Sequence, residues 1–352
     1  MDSHSSSRAP GDGPDAVWSE RLGREALFAL DVVREAVHLT AAIQDETAGG
    51  TITKADASPV TIADFAVQAL VAARLARDFP DDALVAEEDA TVLRQPSVGG
   101  LRARVASMVR RAVPEASTEQ VLDWIDRGGG IGPRFWVLDP IDGTKGLLQG
   151  RQYVVALALI VNGVVRVGVV GCPRLSVAGG QAGPPDRKAA GGGGSALAVR
   201  DRGAWWLPTS GERVLLSVSA RADPVHARVL WSYEEQHGDA GRASRALRAL
   251  GSEEPPIRMD SQAKHVVLAA GEADVLWRFP QDRDFHDAIW DCAAGALLIE
   301  EAGGRVTDLA GRALDFTAGR RLLRNHGFLA SNGMLHEAAL AAVQRHDSTF
   351  DL

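Results

Sequence analysis

Cysteine is scarce in this chain, and its scarcity excludes two kinds of site. Only two cysteines occur among the 352 residues, Cys172 and Cys292. Because they lie far apart in sequence, they give neither the spacing of a metal-binding motif nor a disulfide framework. We interpret both as small hydrophobic side chains in the interior of a protein from a reducing compartment.

Excess positive charge and long apolar runs are also absent. The formal net charge is −8, which argues against a surface for nucleic acid polymers, since such a surface needs clustered Lys and Arg. No apolar run is long enough to span a membrane, and the first residues lack the apolar core of a secretion signal. We therefore expect a cytoplasmic protein that does not contact membranes. Its oligomeric state, monomer or homodimer, is undetermined.

The residues that are present predict a large core and two subdomains. Hydrophobic residues make up 45% of the sequence, which is enough for a sizeable interior. The Ser-, Gly-, Pro- and Asp-rich residues 1–15 are predicted to form a disordered tail. We assign an N-terminal α+β subdomain to 16–213 and a C-terminal α/β subdomain to 214–352. Helical and strand patterns mixed in this order fit a layered α/β architecture.

Periodicity and turn residues predict several individual elements. Apolar residues at three- and four-residue spacing from Trp18 to Val37 predict a long helix. Asn162-Gly163, between two β-branched runs, predicts a hairpin. The glycine-rich stretch 179–194 predicts a flexible loop, and the apolar stretch 287–303 predicts one long buried helix.

The segment 136–146, with the sequence WVLDPIDGTKG, carries the strongest indication of chemistry. An apolar run leads into Asp139 and Asp142, and Gly143-Thr144 follows where a helix could begin. Carboxylates at a strand end suit Mg²⁺, which prefers hard oxygen ligands, and a helix N-terminus offers N–H groups to a phosphate. The alternative is an ordinary Asp-Pro-x-Asp-Gly turn between apolar runs. This segment alone does not decide between the two.

Three further acidic residues could belong to the same site as this turn: Asp56, Glu87 and Asp291. Each has a structural explanation by itself, respectively as a loop residue, as part of a solvated acidic face, and as a first-turn residue favoured by the helix dipole. Their repetition near strand ends and helix starts, in a chain that also carries a phosphate-type turn, favours one shared site.

Taken together, these motifs resemble the inositol monophosphatase superfamily of Mg²⁺-dependent, lithium-sensitive phosphatases. The shared motifs are EED at 87–89, DPIDGT at 139–144, WDCAAG at 290–295 and EAGG at 301–304. The 3'(2'),5'-bisphosphate nucleotidase branch is suggested by SPVT at 58–61, KG at 145–146, GCP at 171–173 and DSQAK at 260–264. The resemblance runs from about Trp18 to about Leu335. It implies a layered αβαβα sandwich with the metal site between the two subdomains.

The resemblance also implies a set of metal ligands for two or three Mg²⁺ ions. One ion would take Glu87, Asp139 and the backbone carbonyl of Ile141. The other would take Asp139, Asp142 and Asp291, so that Asp139 bridges the pair. A third, weaker ion near Glu87 would complete the set.

Catalytic roles follow from the same resemblance. Thr144 and Asp56 would form a relay in which the hydroxyl holds the attacking water and the carboxylate orients the hydroxyl. Asp56 would also lie close to the third ion. The backbone N–H groups of Gly143 and Thr144 would hold the reacting phosphate.

Substrate contacts are implied for the C-terminal half. Ser261, Lys264, Arg278 and Asp291 would face the nucleotide, and the two basic side chains suit its second, unreacted phosphate. Without the resemblance, ordinary surface charge would explain both cations. His237 matches a nucleotide-contacting histidine, although Gln236 and Gly238 replace the Lys and Ser usual beside it. A structural or exposed role for His237 is an equal alternative.

The expected activity is Mg²⁺-dependent removal of the 3'-phosphate of adenosine 3',5'-bisphosphate, giving AMP and phosphate. A role in sulfur metabolism, action on 3'-phosphoadenosine 5'-phosphosulfate and inhibition by Li⁺ are implied as well. One alternative keeps the chemistry and changes the substrate to an inositol phosphate or another small phosphomonoester. The other alternative is a non-catalytic nucleotide-binding regulator, for which the complete acidic set would be unnecessary.

Overall fold

A computed structural model describes residues 22–46, 51–53, 59–178, 181–182, 193–232, 240–280, 282 and 284–345. Within these ranges the chain forms nine α-helices and sixteen strands. The helices are α1 (Arg24–Glu46), α2 (Ile62–Asp78), α3 (Gly99–Val109), α4 (Thr118–Asp126), α5 (Thr144–Gln149), α6 (Ala240–Leu250), α7 (Ala263–Ala269), α8 (Ala293–Glu301) and α9 (His336–Gln344). The strands are β1 (Thr51–Thr53), β2 (Pro59–Thr61), β3 (Ala83–Ala86), β4 (Arg134–Asp142), β5 (Val154–Val161), β6 (Val164–Cys172), β7 (Val177–Ala178), β8 (Gln181–Ala182), β9 (Gly194–Val199), β10 (Gly203–Pro208), β11 (Val214–Leu215), β12 (Val229–Trp231), β13 (Ile257–Arg258), β14 (Val275–Arg278), β15 (Arg305–Thr307) and β16 (Phe328–Ser331).

Twelve of these strands form two large sheets, and the other four form two separate pairs, β1 with β2 and β7 with β8. The larger has seven strands in the order β11-β10-β9-β6-β5-β4-β3, and the smaller has five in the order β13-β12-β14-β16-β15. In the larger sheet only β3 and β4 run parallel, and the last residue of β3, Ala86, pairs with Leu138 of β4. The residues that follow, Glu87 and Asp139, therefore leave the same edge of the sheet side by side.

Among the described residues, the buried hydrophobic side chains form three clusters that lie between five layers of helices and sheets. The first cluster joins α1 to α4 with one face of the larger sheet. The second fills the space between its other face, α7, α8 and the smaller sheet. The third lies between the far face of the smaller sheet, α6 and α9. Because strand side chains alternate between faces, each sheet contributes to two clusters. The αβαβα sandwich predicted from the resemblance is confirmed.

Close backbone contact holds the central helix layer against the larger sheet. A Cβ on Gly168 of β6 would come within 2.9 Å of the carbonyl oxygen of Ala294 in α8. A side chain at this position would push α8 away from the sheet. Asp291 lies two residues before α8 in the chain, so this contact also limits how close Asp291 comes to the end of β4.

The predicted hairpin is confirmed, and the helix predicted over 287–303 is corrected. Asn162-Gly163 joins β5 to β6 with positive φ at both positions, 51° and 77°, as a tight hairpin turn requires. The helix predicted over 287–303 is shorter: a 3-10 turn at Ile289–Asp291 precedes α8. Cys292, with φ −142°, breaks the regular backbone between them. Asp291 therefore lies in the turn and not in the helix.

Other predictions lie wholly or partly outside the described residues. These include the tail at 1–15, Trp18 and most of the loop at 179–194. The division at 213/214 stays a prediction, and β11 at 214–215 pairs with β10 of the larger sheet. No helix in the described ranges is long and apolar enough to cross a membrane. Both cysteines are free and buried, which agrees with their interpretation as interior side chains.

Candidate active site

The acidic turn at 139–142 is built by a distortion at the end of β4. Asp139 pairs with Ala156 and Asp142 with Val154, so three steps along β4 match two along β5. Proline at 140 lacks the N–H that a regular ladder needs, and the extra residue forms a β-bulge. In a regular strand, side chains three positions apart face opposite sides. The bulge removes this alternation and turns both carboxylates toward one site.

Gly143 starts the short helix that follows. Its φ of 91° lies in the left-handed region, and a Cβ there would come within 3.1 Å of the Gln152 carbonyl oxygen and of the Ser261 Cβ. Helix α5 begins at Thr144, whose hydroxyl donates to the Ile141 carbonyl at 3.2 Å. That carbonyl has a second lone pair, so this bond does not prevent Ile141 from serving as a metal ligand.

Glu87 follows β3 on a segment held in place by Gln68. The Gln68 side chain accepts from the Glu88 amide at 2.9 Å and donates to the Glu88 carbonyl at 2.7 Å. Glu87 is half-buried, Glu88 is buried and Asp89 is exposed. The charge of Glu87 is close enough to Asp139 to raise the pKa of Asp139, which burial raises most. The role of Glu87 as a metal ligand stays a prediction.

Asp291 is paired with Arg278, another residue for which the resemblance implies a substrate contact. Arg278, at the end of β14, donates from Nη2 to Asp291 Oδ2 at 3.0 Å and lies 2.8 Å from Asp287 Oδ1 through Nε. Burial raises the pKa of Asp291 to about 7, although Arg278 acts in the opposite direction. Asp142 adds to the rise because its negative charge is close.

The electrostatics show that the four predicted carboxylate ligands share one site. Burial raises the pKa of Asp139 well above its usual value, and the charges of Asp142, Glu87 and Asp291 raise it further, in that order. The pKa of Asp142 is also raised by burial, against hydrogen bonds from Gln262. Asp139 is 2% exposed, and its Oδ1 is buried without a hydrogen-bond partner in the described part of the chain. A buried carboxylate with one unsatisfied oxygen, beside three half-buried carboxylates, calls for a cation.

These residues fit Mg²⁺ by their chemistry, since carboxylate and carbonyl oxygens are its preferred ligands. Within the described residues, no three His, Cys, Asp or Glu side chains are already arranged as a metal site. Two of the carboxylates already accept hydrogen bonds from the protein. Asp142 Oδ2 accepts from the Gln262 amide at 2.5 Å, and Asp291 Oδ2 accepts from Arg278. Each of these carboxylates keeps further lone pairs on its two oxygens, so these bonds do not prevent either from holding an ion.

The predicted substrate side lies next to the carboxylates. Lys264, one residue into α7, donates to Ser232 Oγ at 2.7 Å. Burial lowers the pKa of Lys264 to about 8, and the charge of Asp142 partly counteracts this. Ser261 is buried, with φ 62°, and its hydroxyl accepts from the Ala263 amide at 3.3 Å. The predicted site residues Asp56 and His237 lie outside the described residues.

Gln262 is a site residue that the sequence analysis did not single out. Its backbone N–H donates to Asp142 Oδ2, and its side-chain Nε2 donates to the Trp290 carbonyl at 3.1 Å. It therefore links the acidic turn to the residue before Asp291. The left-handed backbone of Ser261 directs this amide toward Asp142. A left-handed backbone at a residue other than glycine cannot be recognised from the sequence. Ser261 and Gln262 nevertheless both belong to the motif at 260–264.

Comparison with known proteins decides the family. The model of the inositol monophosphatase family matches residues 23–348. The chain belongs to the inositol monophosphatase family. This family is metal-dependent, which agrees with the cluster of carboxylates around the buried Asp139.

Curated relatives share substantial identity with this family member over nearly their whole length. A 3'(2'),5'-bisphosphate nucleotidase from Emericella nidulans is 38% identical over 346 residues, covering 92% of this chain and 98% of that protein. One from Schizosaccharomyces pombe is 37% identical over 350 residues, covering 93% and 97%.

Solved structures support the fold. An inositol monophosphatase (IMPase) from Thermotoga maritima superposes with a TM-score of 0.61 at 21% identity, covering 93% of this chain and 98% of that one. CysQ from Bacteroides thetaiotaomicron gives a TM-score of 0.58 at 20% identity, covering 88% and 97%. At such identities the likeness concerns the fold alone.

Proposed function

We propose that this protein is a Mg²⁺-dependent phosphomonoesterase that removes the 3'-phosphate of adenosine 3',5'-bisphosphate, giving AMP and phosphate. The observation that carries the proposal is the carboxylate cluster around Asp139, with its unsatisfied buried oxygen. Two cations, Lys264 and Arg278, lie beside it and interact with Asp142. A metal-dependent site next to basic side chains suits a substrate with one reacting and one anchoring phosphate. The names of the curated relatives favour the same substrate.

The ligand assignment follows the resemblance. Glu87, Asp139 and the Ile141 carbonyl would hold one Mg²⁺, and Asp139, Asp142 and Asp291 the other. Bound there, the two ions would neutralise the phosphate oxygens and lower the pKa of an attacking water. A third ion near Glu87 belongs to the same proposal.

Residues of the turn would position the reacting groups. The Thr144 hydroxyl donates to the Ile141 carbonyl in this structure. Turning that donation toward Asp56 would leave a hydroxyl lone pair free to accept from the attacking water. The amides of Gly143 and Thr144 stand at the start of α5, where the reacting phosphate would bind.

Residues of the C-terminal half of the chain would contact the second, unreacted phosphate. Lys264 and Arg278 would bind the 5'-phosphate, with Ser261 and His237 beside the nucleoside. This arrangement would also accommodate 3'-phosphoadenosine 5'-phosphosulfate, and either substrate would place the enzyme in sulfur metabolism.

The test is phosphate release from adenosine 3',5'-bisphosphate and from inositol 1-phosphate, each with Mg²⁺, with EDTA and with added Li⁺. We expect a strong preference for the nucleotide, loss of activity in EDTA and inhibition by Li⁺. Preference for the inositol phosphate would refute the substrate assignment and leave the metal site standing. Nucleotide binding without any Mg²⁺-dependent turnover would refute the enzyme and support a regulator.

Asp139→Asn tests the metal assignment within the same assay. Because Asp139 would contact both ions, the variant should lose at least about 100-fold in activity while remaining folded. Asp123→Asn is a matched control, since Asp123 is 65% exposed on α4 and pairs only at the surface with Arg94 among the described residues. A fully active Asp139→Asn enzyme would overturn the assignment.

A further inference from the structure

Arg320 connects two segments of the chain that carry predicted metal ligands, the end of β3 before Glu87 and the 3-10 turn that contains Asp291. Its Nη2 donates to the Ala86 carbonyl at 2.6 Å and its Nη1 to the Gly128 carbonyl at 2.7 Å. These partners lie 234 and 192 positions away in the chain. The guanidinium also lies over the Trp290 ring, 4.9 Å from its centroid. One side chain therefore touches the residue before Glu87 and the residue before Asp291.

The bond to Ala86 acts on Glu87 through one peptide group. The Ala86 carbonyl belongs to the peptide that links Ala86 to Glu87, so anchoring it limits how far the Glu87 backbone can rotate. The Gly128 carbonyl, which Arg320 also binds, accepts from the Ala86 amide at 2.9 Å. The end of β3 is thus held by three hydrogen bonds, one from the Ala86 amide to the Gly128 carbonyl and two from Arg320 to the Ala86 and Gly128 carbonyls.

The contacts on the other side act on Asp291. The Ile289 amide donates to the Arg320 carbonyl at 3.1 Å, and this bond holds the start of the 3-10 turn that contains Asp291. The guanidinium over Trp290 adds a cation–π contact to the same turn. Backbone and side chain of Arg320 therefore both hold the segment that presents Asp291.

We propose that Arg320 is a positioning residue that sets the separation between Glu87 and Asp291, and thereby the affinity of the site for Mg²⁺. The inference rests on the proposed function, because it takes these two carboxylates as ligands of different ions. The planar fork of Arg320, with two donors on two carbonyls, is a geometry that Lys cannot reproduce. Partners behind metal ligands change metal affinity about 10–100-fold when they are removed.

The experiment uses Arg320→Gln and Arg320→Lys, with Arg321→Gln as the matched control. Arg321 is the next residue in the same loop, and its side chain donates to the His286 carbonyl at 2.9 Å. For each variant, Mg²⁺ is titrated in two assays. One follows the thermal unfolding midpoint of the substrate-free protein, and the other follows phosphate release from adenosine 3',5'-bisphosphate.

We expect the Mg²⁺ concentration at half-effect to rise about 10–100-fold in Arg320→Gln in both assays. The rise should be smaller in Arg320→Lys and within about twofold in Arg321→Gln. Saturating Mg²⁺ should restore much of kcat to both Arg320 variants. If Arg320→Gln does not fold, the Mg²⁺ titration of Arg320→Lys decides the question by the same criterion.

Two outcomes would overturn this inference alone. In the first, an Arg320 variant has a lower Tm at every Mg²⁺ concentration but an unchanged Mg²⁺ midpoint, which is the behaviour of a purely structural residue. In the second, Arg321→Gln moves the midpoint as far as Arg320→Gln does. A wild-type protein on which Mg²⁺ has no effect in either assay would instead refute the proposed function, and the positioning role with it.

Discussion

Arg278→Gln should cost stability as well as substrate binding, because Arg278 compensates two carboxylates at once. Its Nε lies 2.8 Å from Asp287 Oδ1, and its Nη2 donates to Asp291. The Asp287 side chain is 4% exposed, and its oxygens have no hydrogen-bond partner in the described ranges besides this ion pair. Glutamine would leave the Asp287 charge buried without a cation.

The structure sets the expected size of the effect. Removing one partner of a buried ion pair costs about 3–5 kcal/mol. Arg278 is itself 38% exposed, so water screens part of the attraction and the lower end of that range applies. Unfolding entropy of about 2 cal/mol/K per residue converts a loss of about 3 kcal/mol into a fall in Tm of about 4 °C for a chain of this length.

A double-mutant cycle provides the assay. Unfolding of wild type, Arg278→Gln, Asp287→Asn and the double variant is followed by denaturant titration. Asparagine at 287 removes the charge that needs compensation, so the double variant should recover about 2 kcal/mol relative to additive losses. Arg305→Gln is the control, since Arg305 is 47% exposed and pairs with the 75% exposed Glu337. It should cost less than about 1 kcal/mol.

The reasoning would be refuted by either of two results. Arg278→Gln that costs no more than Arg305→Gln would show that Asp287 is not held by this cation. Strictly additive losses in the double variant would show that the two side chains are not coupled.

Two further predictions concern pH and backbone packing. The His336 ring is buried between the Thr307 and Ser331 hydroxyls, and burial lowers its pKa to about 4. Between pH 6.5 and 4 this histidine is therefore protonated in the unfolded chain but neutral in the folded protein. The free energy of unfolding should fall by about 3 kcal/mol as the pH falls through this range. His336→Gln should flatten this slope in denaturant titrations. A Cβ on Gly146 would overlap the Gln152 carbonyl oxygen. Gly146→Ala should therefore displace α5 without unfolding the protein. We expect kcat in the phosphate-release assay to fall at least about tenfold.

Each has its own control. Burial also lowers the pKa of His265, to about 3, so part of the slope should survive in His336→Gln, and an unchanged slope would contradict the assignment to His336. Gly100→Ala places a Cβ in open space on α3 and should leave kcat as it is. Equal kcat for Gly146→Ala and wild type would show that α5 tolerates displacement.

Much of the candidate site can be predicted from sequence because it is local. The apolar run, the two carboxylates and Gly143-Thr144 lie within a few residues of one another, so the sequence indicates a strand followed by a helix start. The hairpin at Asn162-Gly163 is predictable for the same reason. The bulge between Asp139 and Asp142 was found only in the structure. The family and its layered fold also follow from motifs that can be read directly, although the roles of the individual site residues stay predictions.

The sequence by itself therefore determined which carboxylates are available and the order in which the elements occur. Only the tertiary structure decided how they meet. The parallel pairing of β3 with β4 brings Glu87 beside Asp139 across about fifty residues of chain. Gln262 and Arg320 join the site from still farther away. Periodicity and turn signals report on neighbours along the chain, whereas these contacts depend on strand order and on the packing of helices between two sheets.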